Sequence, residues 1–302
     1  MPILLRILIV FLSFWTISAF AYRNQTISGN FHRIVISGNI KSVRLHQTRG
    51  TPYMVINGDQ ADIQDNEFYI QDDWLKAHVG EGYPKFGEIS LDIWVNNIHT
   101  INIKGNIPLK GLNLYTSGLA INTMGSPEIH LNGHIVLNHV RIGERTQLMV
   151  EGINTKNLSL QMSGASFAKL QGNMDIGRLD IRDHSCLNMH WISTYQLKFT
   201  LAGYTNVQLA GQVQVLDLDM YDHAQFGGRY LRANRVFVKT NGFSQAQISA
   251  VRSQHTYALD ESHIDYFNVP LMKTDLMVLS GETLDLREWS QRFAVNDDTF
   301  GD

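Results

Sequence analysis

A repeat of about twenty residues is the feature that most restricts how this chain of 302 residues can fold. Two apolar residues separated by one other residue recur along the C-terminal half at steps of 18 to 21 residues. A segment of that length cannot enclose a hydrophobic core alone, whereas stacked copies can, so the period indicates a solenoid. The recurring pairs are Leu158 with Leu160, Leu179 with Ile181, Leu197 with Phe199, Leu216 with Leu218, Val236 with Val238, Tyr257 with Leu259 and Met277 with Leu279.

The spacing within each pair indicates short β-strands. Side chains alternate along a strand, so the two apolar residues face inward and the residue between them faces solvent. Turn-forming residues between successive apolar positions predict a unit of strand, tight turn, strand and looser turn. Stacked units place equivalent strands about 4.8 Å apart in parallel sheets. The sequence therefore predicts an all-β fold, a right-handed parallel β-helix with about 20 residues per coil.

The tight turns carry a recurring residue type. Gly164, Gly203 and Gly242 recur in them, and His184 and His223 fall in the intervening turns. Glycine adopts positive φ at little cost, and histidine is enriched there among the other residues, so we expect one left-handed bend repeated in every coil. The two histidines would stand two coils apart, about 9.6 Å, which exceeds the reach of one zinc ion. The sequence predicts no metal site.

The first 21 residues have the features of a signal peptide. They carry one positive charge, an apolar run over residues 7–15, and the small residues Ala19 and Ala21 that a signal peptidase requires. An uncleaved membrane anchor is the alternative, and no later segment of the sequence is apolar enough to span a bilayer. We expect an exported protein, located in the periplasm, on the outer-membrane surface or secreted.

Composition and the regularity of the repeat indicate how the remainder of the chain is divided into segments. We expect the β-helix over residues 22–287, with an irregular excursion at about 60–88, and a C-terminal cap or tail at 288–302. The formal net charge of −3 and the 18% of charged residues give no electrostatic reason to expect a nucleic-acid partner. Cys186 is the single cysteine, so an intramolecular disulfide is impossible.

Three segments resemble a known family. They read FHRIVISG at 31–38, MVINGD at 54–59 and LSLQMSGAS at 158–166. In these segments, and over roughly residues 26–286, the chain is similar to the head GIN domain proteins, known as "putative auto-transporter adhesins". The resemblance implies a β-helical fold and an exported location, and it brings no catalytic residues. The chain departs from the Ser-Gly-x-Ser turns of that family at residues 183–185 and 222–224.

Acidic residues raise the alternative of an enzyme, because parallel β-helices also serve as polysaccharide lyases and hydrolases. Asp217, Asp219 and Asp222 are the candidate acids. Glycoside hydrolysis requires two carboxyl groups roughly 5 to 9.5 Å apart, one of them with a raised pKa. The predicted outward rows instead mix acidic and basic residues, which is typical of a solvated ladder. We therefore predict a non-enzymatic protein without a cofactor, and a polysaccharide lyase or glycoside hydrolase is the alternative.

Aromatic residues at outward positions are the candidates for binding. Aromatic rings beside amide and hydroxyl groups suit the recognition of a carbohydrate or of an envelope or surface protein. A solenoid also offers an extended, shallow contact surface, and the open ends of its sheets make self-association an option. The sequence thus predicts an adhesion or scaffolding module of the bacterial envelope or surface. The candidate binding residues are Tyr195, Tyr204, Tyr221, Tyr230 and Phe237.

Overall fold

The computed structural model describes residues 22–267, 273–278 and 282–285, so the predicted signal peptide and the predicted C-terminal cap or tail lie outside the described residues. Within these ranges the chain forms one short helix and nineteen strands that pair into a single sheet. In chain order the elements are β1 (Tyr22–Ser28), β2 (Arg33–Gly38), β3 (Ser42–Gln47), β4 (Tyr53–Asp59), α1 (Gln60–Gln64), β5 (Glu67–Gln71), β6 (Trp74–Val79), β7 (Ser90–Val95), β8 (Thr100–Lys104), β9 (Leu109–Met124), β10 (Glu128–Ile142), β11 (Gln147–Met162), β12 (Phe167–Ile181), β13 (Cys186–Leu201), β14 (Asn206–Met220), β15 (Gln225–Thr240), β16 (Gln245–Ala258), β17 (His263–Tyr266), β18 (Lys273–Val278) and β19 (Glu282–Asp285).

The eight strands β9 to β16 form the regular part of the solenoid. Each pairs in parallel with the next strand along the chain. Leu187 lies beside Val207 and Val207 lies beside Phe226, so successive coils take 20 and 19 residues. The predicted parallel β-helix with a coil of about twenty residues is confirmed.

Apolar rows running along the solenoid form its core. Inward side chains of successive coils are neighbours by register, and in one such row none is more than 2% exposed. Burying each side chain of this kind contributes roughly 1.5–3 kcal/mol, and each added coil lengthens every row. This explains why one coil cannot fold alone. The row consists of Leu131, Val150, Leu170, Met189 and Leu209.

The two strands predicted for each coil are one bent strand. Bends fall at glycines such as Gly133, Gly172 and Gly211, whose φ angles are 148°, 142° and 143°. The parallel ladder shifts its register around these bends but resumes on the far side. The predicted looser turn is therefore a bulge within a continuous strand of 14 to 16 residues.

The register of the coils differs from the sequence prediction at two of the predicted pairs. Leu179 lies beside Leu160, not beside Leu158, and Ile181 lies beside Leu201, not beside Phe199. Tyr257 faces outward next to Lys239, while Gln254 and Thr256 of the same strand are buried. Polar side chains at inward positions hide the alternation there, which explains the wrong assignment of Tyr257.

Glycine and aspartate alternate at the left-handed position of the tight turns. Gly164, Asp183, Gly203 and Asp222 have φ angles of 69°, 65°, 77° and 62°. The prediction that His184 and His223 occupy this position is wrong, because each histidine follows it by one residue. Aspartate tolerates this conformation, and its carboxylate gains a partner in the preceding turn. Asp183 Oδ2 accepts a hydrogen bond from the Gly164 N–H at 2.8 Å, and Asp222 Oδ2 accepts one from the Gly203 N–H at 3.0 Å.

The N-terminal end of the solenoid folds back on itself. Strand β2 lies between β6 and β8 and pairs in parallel with both. The later strand β6 is therefore stacked on the side of β2 opposite to β8. Antiparallel strands then cover the edges of the parallel stack, β5 against β6 and β4 against β7, and β1 pairs with β4. Residues 60–88 thus comprise α1, β5, β6 and a connecting loop. Covered edges of this kind prevent pairing with other chains.

The C-terminal strands continue the stack. Strand β18 pairs in parallel with β16, and β19 pairs in parallel with β17. In the part of the chain that the structure describes, no helix has the length and apolar character needed to cross a bilayer.

Candidate functional site

The five predicted binding residues lie on different parts of the solenoid. Tyr195 lies in β13, beyond the bend of that strand, and Tyr204 and Tyr221 flank the tight turns. Tyr230 and Phe237 both belong to β15, but they line different depressions. The structure therefore does not gather these residues into one site.

Stacked rings line the tight turns. The ring centroids of His184 and Tyr204 are 5.0 Å apart, those of Tyr204 and His223 are 4.6 Å apart, and those of His223 and Phe243 are 5.1 Å apart. Each ring covers a face of the ring in the next coil, so both faces of Tyr204 and His223 are occupied. A sugar ring needs an open aromatic face. The ring stack therefore stabilises the turns, and its inner rings Tyr204 and His223 present their edges to a ligand.

The candidate acids divide between two places. Asp217 and Asp219 line a depression of ≈ 300 Å³ together with Phe237. Asp217 Oδ2 lies 2.8 Å from Lys198 Nζ, and this hydrogen bond raises the pKa of Lys198. Asp222 lies in the tight turn, where its carboxylate binds the backbone of the preceding coil. Two of the three acids are thus brought together, and the third has a structural partner.

A groove of ≈ 340 Å³ crosses the first segments of β13 to β16. Three amide side chains contribute to its polar lining, and we call it the amide groove. A second depression of ≈ 170 Å³ shares Gln208, Gly227 and Gln247 with it and adds further amides. The amide groove is lined by Asn188, Met189, His190, Gln208, Leu209, Ala210, Gly227, Arg229, Tyr230 and Gln247.

The register of the strands produces the groove. Asn188, Gln208, Gly227 and Gln247 occupy one outward row in four successive coils. Glycine has no side chain, so the row is interrupted at Gly227 and leaves an opening between two amide side chains. Each amide offers donors and acceptors to a ligand placed there.

Arg229 and Tyr230 form one wall of the amide groove. The Arg229 guanidinium lies 5.6 Å from the centre of the Tyr230 ring and 4.5 Å from the centre of the Phe267 ring. Tyr230 is 72% exposed, so most of its surface is available to a ligand. Among the described residues, Arg229 makes no ion pair, and the groove lining contains no carboxylate.

Trp191 is a residue that the sequence prediction missed. It is 67% exposed, has a φ of 65°, and follows the groove residue His190, whose ring it meets edge-on at a centroid distance of 6.5 Å. A bulky residue in this left-handed conformation costs about 1–3 kcal/mol and is often retained for function. Trp191 could have been found from one signal. His190 and Trp191 are adjacent and both lie outside the core, whereas side chains that alternate strictly along a strand would place one of them inside.

Comparison with known families decides the classification. The sequence profile of the family described as "Putative auto-transporter adhesin, head GIN domain" matches residues 30–188, more than half of the chain. The chain belongs to the head GIN domain family. Most of the amide groove lies beyond the matched residues, on β14 to β16 of this head GIN domain protein.

Several solved structures are similar to this head GIN domain protein. A "putative adhesin" from Parabacteroides merdae has 16% sequence identity and a TM-score of 0.45, and the alignment covers 87% of this chain and 96% of that chain. A "putative adhesin" from Parabacteroides distasonis has 11% identity and a TM-score of 0.46, with coverages of 87% and 97%. A "Putative lipid binding protein" from the same species has 13% identity and a TM-score of 0.39, with coverages of 87% and 96%. No curated protein gives a significant sequence match.

A buried carboxylate supports the N-terminal coils of this head GIN domain protein. Asp92 is 8% exposed, and its oxygens lie 2.7 and 2.8 Å from Arg44 Nε and Nη2. His46 Nε2 and Asn57 Nδ2 each lie 3.0 Å from the same carboxylate. Burial acts to raise the pKa of Asp92, but the hydrogen bonds from Arg44 and His46 outweigh it and hold the pKa below its ordinary value. The cluster is fully engaged within the protein and serves as a structural element.

Proposed function

We propose that this chain is an exported, non-enzymatic binding module that acts in adhesion or scaffolding at the bacterial envelope or surface. Membership of a family described by adhesion supports the proposal. The observation that carries it is the amide groove, where amide side chains lie beside the exposed ring of Tyr230 and the exposed Trp191 contacts the lining residue His190. Ligand sites of this shape combine apolar faces with a few polar groups that fix orientation.

The chemistry of the amide groove favours a carbohydrate over an envelope protein. Side-chain amides donate to and accept from sugar hydroxyls, and an exposed ring packs against the apolar face of a sugar. Equivalent side chains recur about every 4.8 Å along the stacked strands, which suits a linear polymer. A protein partner would need a broad surface with an apolar centre, whereas the amide groove is a depression of ≈ 340 Å³.

Trp191→Gly is expected to weaken glycan binding about tenfold or more without lowering stability. The substitution removes an exposed ring beside the groove, and it also removes the cost of a bulky residue at positive φ. Tyr230→Ala should weaken binding to a similar degree, since aromatic anchors dominate such contacts. A glycan array read by fluorescence, followed by calorimetric titration of the hits, measures the affinity, and thermal unfolding measures the stability.

Tyr195→Ala is the matched control for these variants. Tyr195 is an exposed aromatic residue on a different segment of β13, so its loss should leave the affinity unchanged. Equal losses for Tyr195→Ala and Tyr230→Ala would refute the amide groove as the binding site. Absence of binding to every glycan and envelope component tested would refute the proposed function itself.

A polysaccharide-degrading enzyme is the second candidate, because Asp217 and Asp219 share a depression. We expect no turnover of polysaccharides, since Asp217 is paired with Lys198 and Asp219 lies beside Lys239 in the parallel ladder. Incubation with a polysaccharide panel and assay of new reducing ends and of unsaturated products measures this. Turnover that disappears in both Asp217→Asn and Asp219→Asn would replace the binding proposal with the enzymatic one.

A further inference from the structure

We propose that the amide groove selects acidic glycans, whose sugar units carry carboxylates, with Arg229 as the residue that binds the carboxylate. This inference rests on the proposed function, because it names the ligand class of the same site. It depends on three features of the groove: the balance of charge along its row, the setting of the Arg229 guanidinium, and the opening at Gly227.

The charge along the groove favours an anion. The residues that line it include Arg229 and no carboxylate. In the coil before Asn188, the outward row that contains Asn188 and Gln208 carries Lys169, which adds a second cation at that end of the groove. At the other end the row continues to Asp265, whose carboxylate contacts His263 Nε2. A negatively charged ligand therefore meets one cation inside the groove and a second in the coil before it, while the acid at the other end has a partner.

The surroundings of Arg229 prepare its guanidinium for a carboxylate. Its side chain is exposed but lies against two rings, those of Tyr230 and Phe267. Contact with the rings restricts the side chain, so less conformational entropy is lost when a ligand binds. A planar guanidinium offers two parallel N–H donors to a carboxylate, and such charge-assisted pairs are roughly twice as strong as neutral hydrogen bonds. Among the described residues no acid competes for these donors.

The opening at Gly227 places a sugar ring next to that guanidinium. Gly227 precedes Arg229 by two residues, so both positions are on the outward side of β15. A Cβ atom at Gly227 would lie 3.3 Å from Gln208 Cγ, a flexible side chain that can move aside. A side chain is therefore sterically tolerable at this position, and its absence leaves space between Gln208 and Gln247. A sugar unit in this space can donate hydroxyls to the amides and direct its carboxylate to Arg229.

Titration of the full chain with paired oligosaccharides tests the inference. The probes are oligomers of galacturonate, mannuronate and hyaluronan, each compared with its methyl-esterified form, which has the same backbone and no charge. We expect at least one acidic oligomer to bind about tenfold more tightly than its ester, with an advantage that shrinks at high salt. Arg229→Gln should remove this advantage and change binding of the ester less than about twofold.

Two further variants separate the possible outcomes. Gly227→Gln fills the opening and should weaken both forms of the ligand about tenfold while the melting temperature is retained. Arg235→Gln removes an exposed charge from the same strand outside the groove, and it should leave both affinities unchanged. Esters that bind as tightly as acids, or equal effects of Arg229→Gln and Arg235→Gln, would overturn the acidic preference and leave the glycan-binding function intact. No binding of any charged or neutral glycan would overturn both.

Discussion

Replacing Gly172 with alanine is expected to lower the free energy of unfolding by about 3 kcal/mol or more, or to prevent folding. Gly172 lies at the bend of β12 with a φ of 142°, a conformation that side chains of L-residues rarely adopt. A Cβ atom there would lie 2.1 Å from the carbonyl oxygen and 2.5 Å from the nitrogen of Ile153 in the preceding coil. These are backbone atoms of a packed parallel ladder, so they cannot move aside as a flexible side chain would.

The same substitution at Gly87 provides the control. No atom lies within 4 Å of a Cβ built at Gly87, so Gly87→Ala should change the free energy of unfolding by less than about 0.5 kcal/mol. Urea unfolding followed by circular dichroism measures both variants. A Gly172→Ala protein as stable as Gly87→Ala would show that the bend of β12 relaxes without cost, contrary to the close stacking of coils described above.

The periodic part of this fold could be predicted from the sequence because one physical cause repeats in every coil. Inward positions such as Leu170 and Leu209 must be apolar to extend a shared core row, so an apolar residue recurs in the sequence about every twenty residues. The tight turns produce a second recurring pattern, the glycines Gly164, Gly203 and Gly242. Where the inward residue is polar, as at Gln254, the apolar repeat is interrupted and the register predicted from it is wrong.

Features without a period were beyond the sequence prediction. The placement of β6 beside β2 depends on a reversal of the chain that occurs once, so no sequence repeat indicates it. The ring stack was accessible in principle, since His184, Tyr204 and His223 stand at one fixed position after each bend. The sequence prediction places histidine at the bend itself, because histidine tolerates positive φ, whereas aspartate gains a hydrogen bond there as well.

The amide groove could be predicted only in part. Tyr230 was a candidate binding residue, and the structure places it in the groove wall. The opening beside it depends on Gly227 standing between Gln208 and Gln247 in neighbouring coils, so it appears only once the register of three strands is known. Trp191 departs from the alternation of its strand, and its role depends on a backbone angle that the sequence does not specify.

Asp92→Asn is expected to lower the free energy of unfolding at neutral pH by about 2 kcal/mol. The substitution keeps the shape of the side chain but removes the charge that pairs with Arg44 and His46. The carboxylate is nearly buried, so water cannot replace these partners fully. Chemical unfolding of both proteins across a pH series measures the difference between them.

The effect of Asp92→Asn must also depend on pH with a definite sign. The pKa of Asp92 is held below its ordinary value of 3.8 in the folded protein, so the native carboxylate contributes stability above that pH. This contribution is lost as the pH falls below 3.8 towards the folded pKa, and the difference between the two proteins should shrink there. Glu88→Gln is the control, because Glu88 and Lys41 form an ion pair on the surface, where such pairs contribute about 0–1 kcal/mol. A difference between the native protein and Asp92→Asn that stays constant into acid would show that the carboxylate acts through its shape and not through its charge.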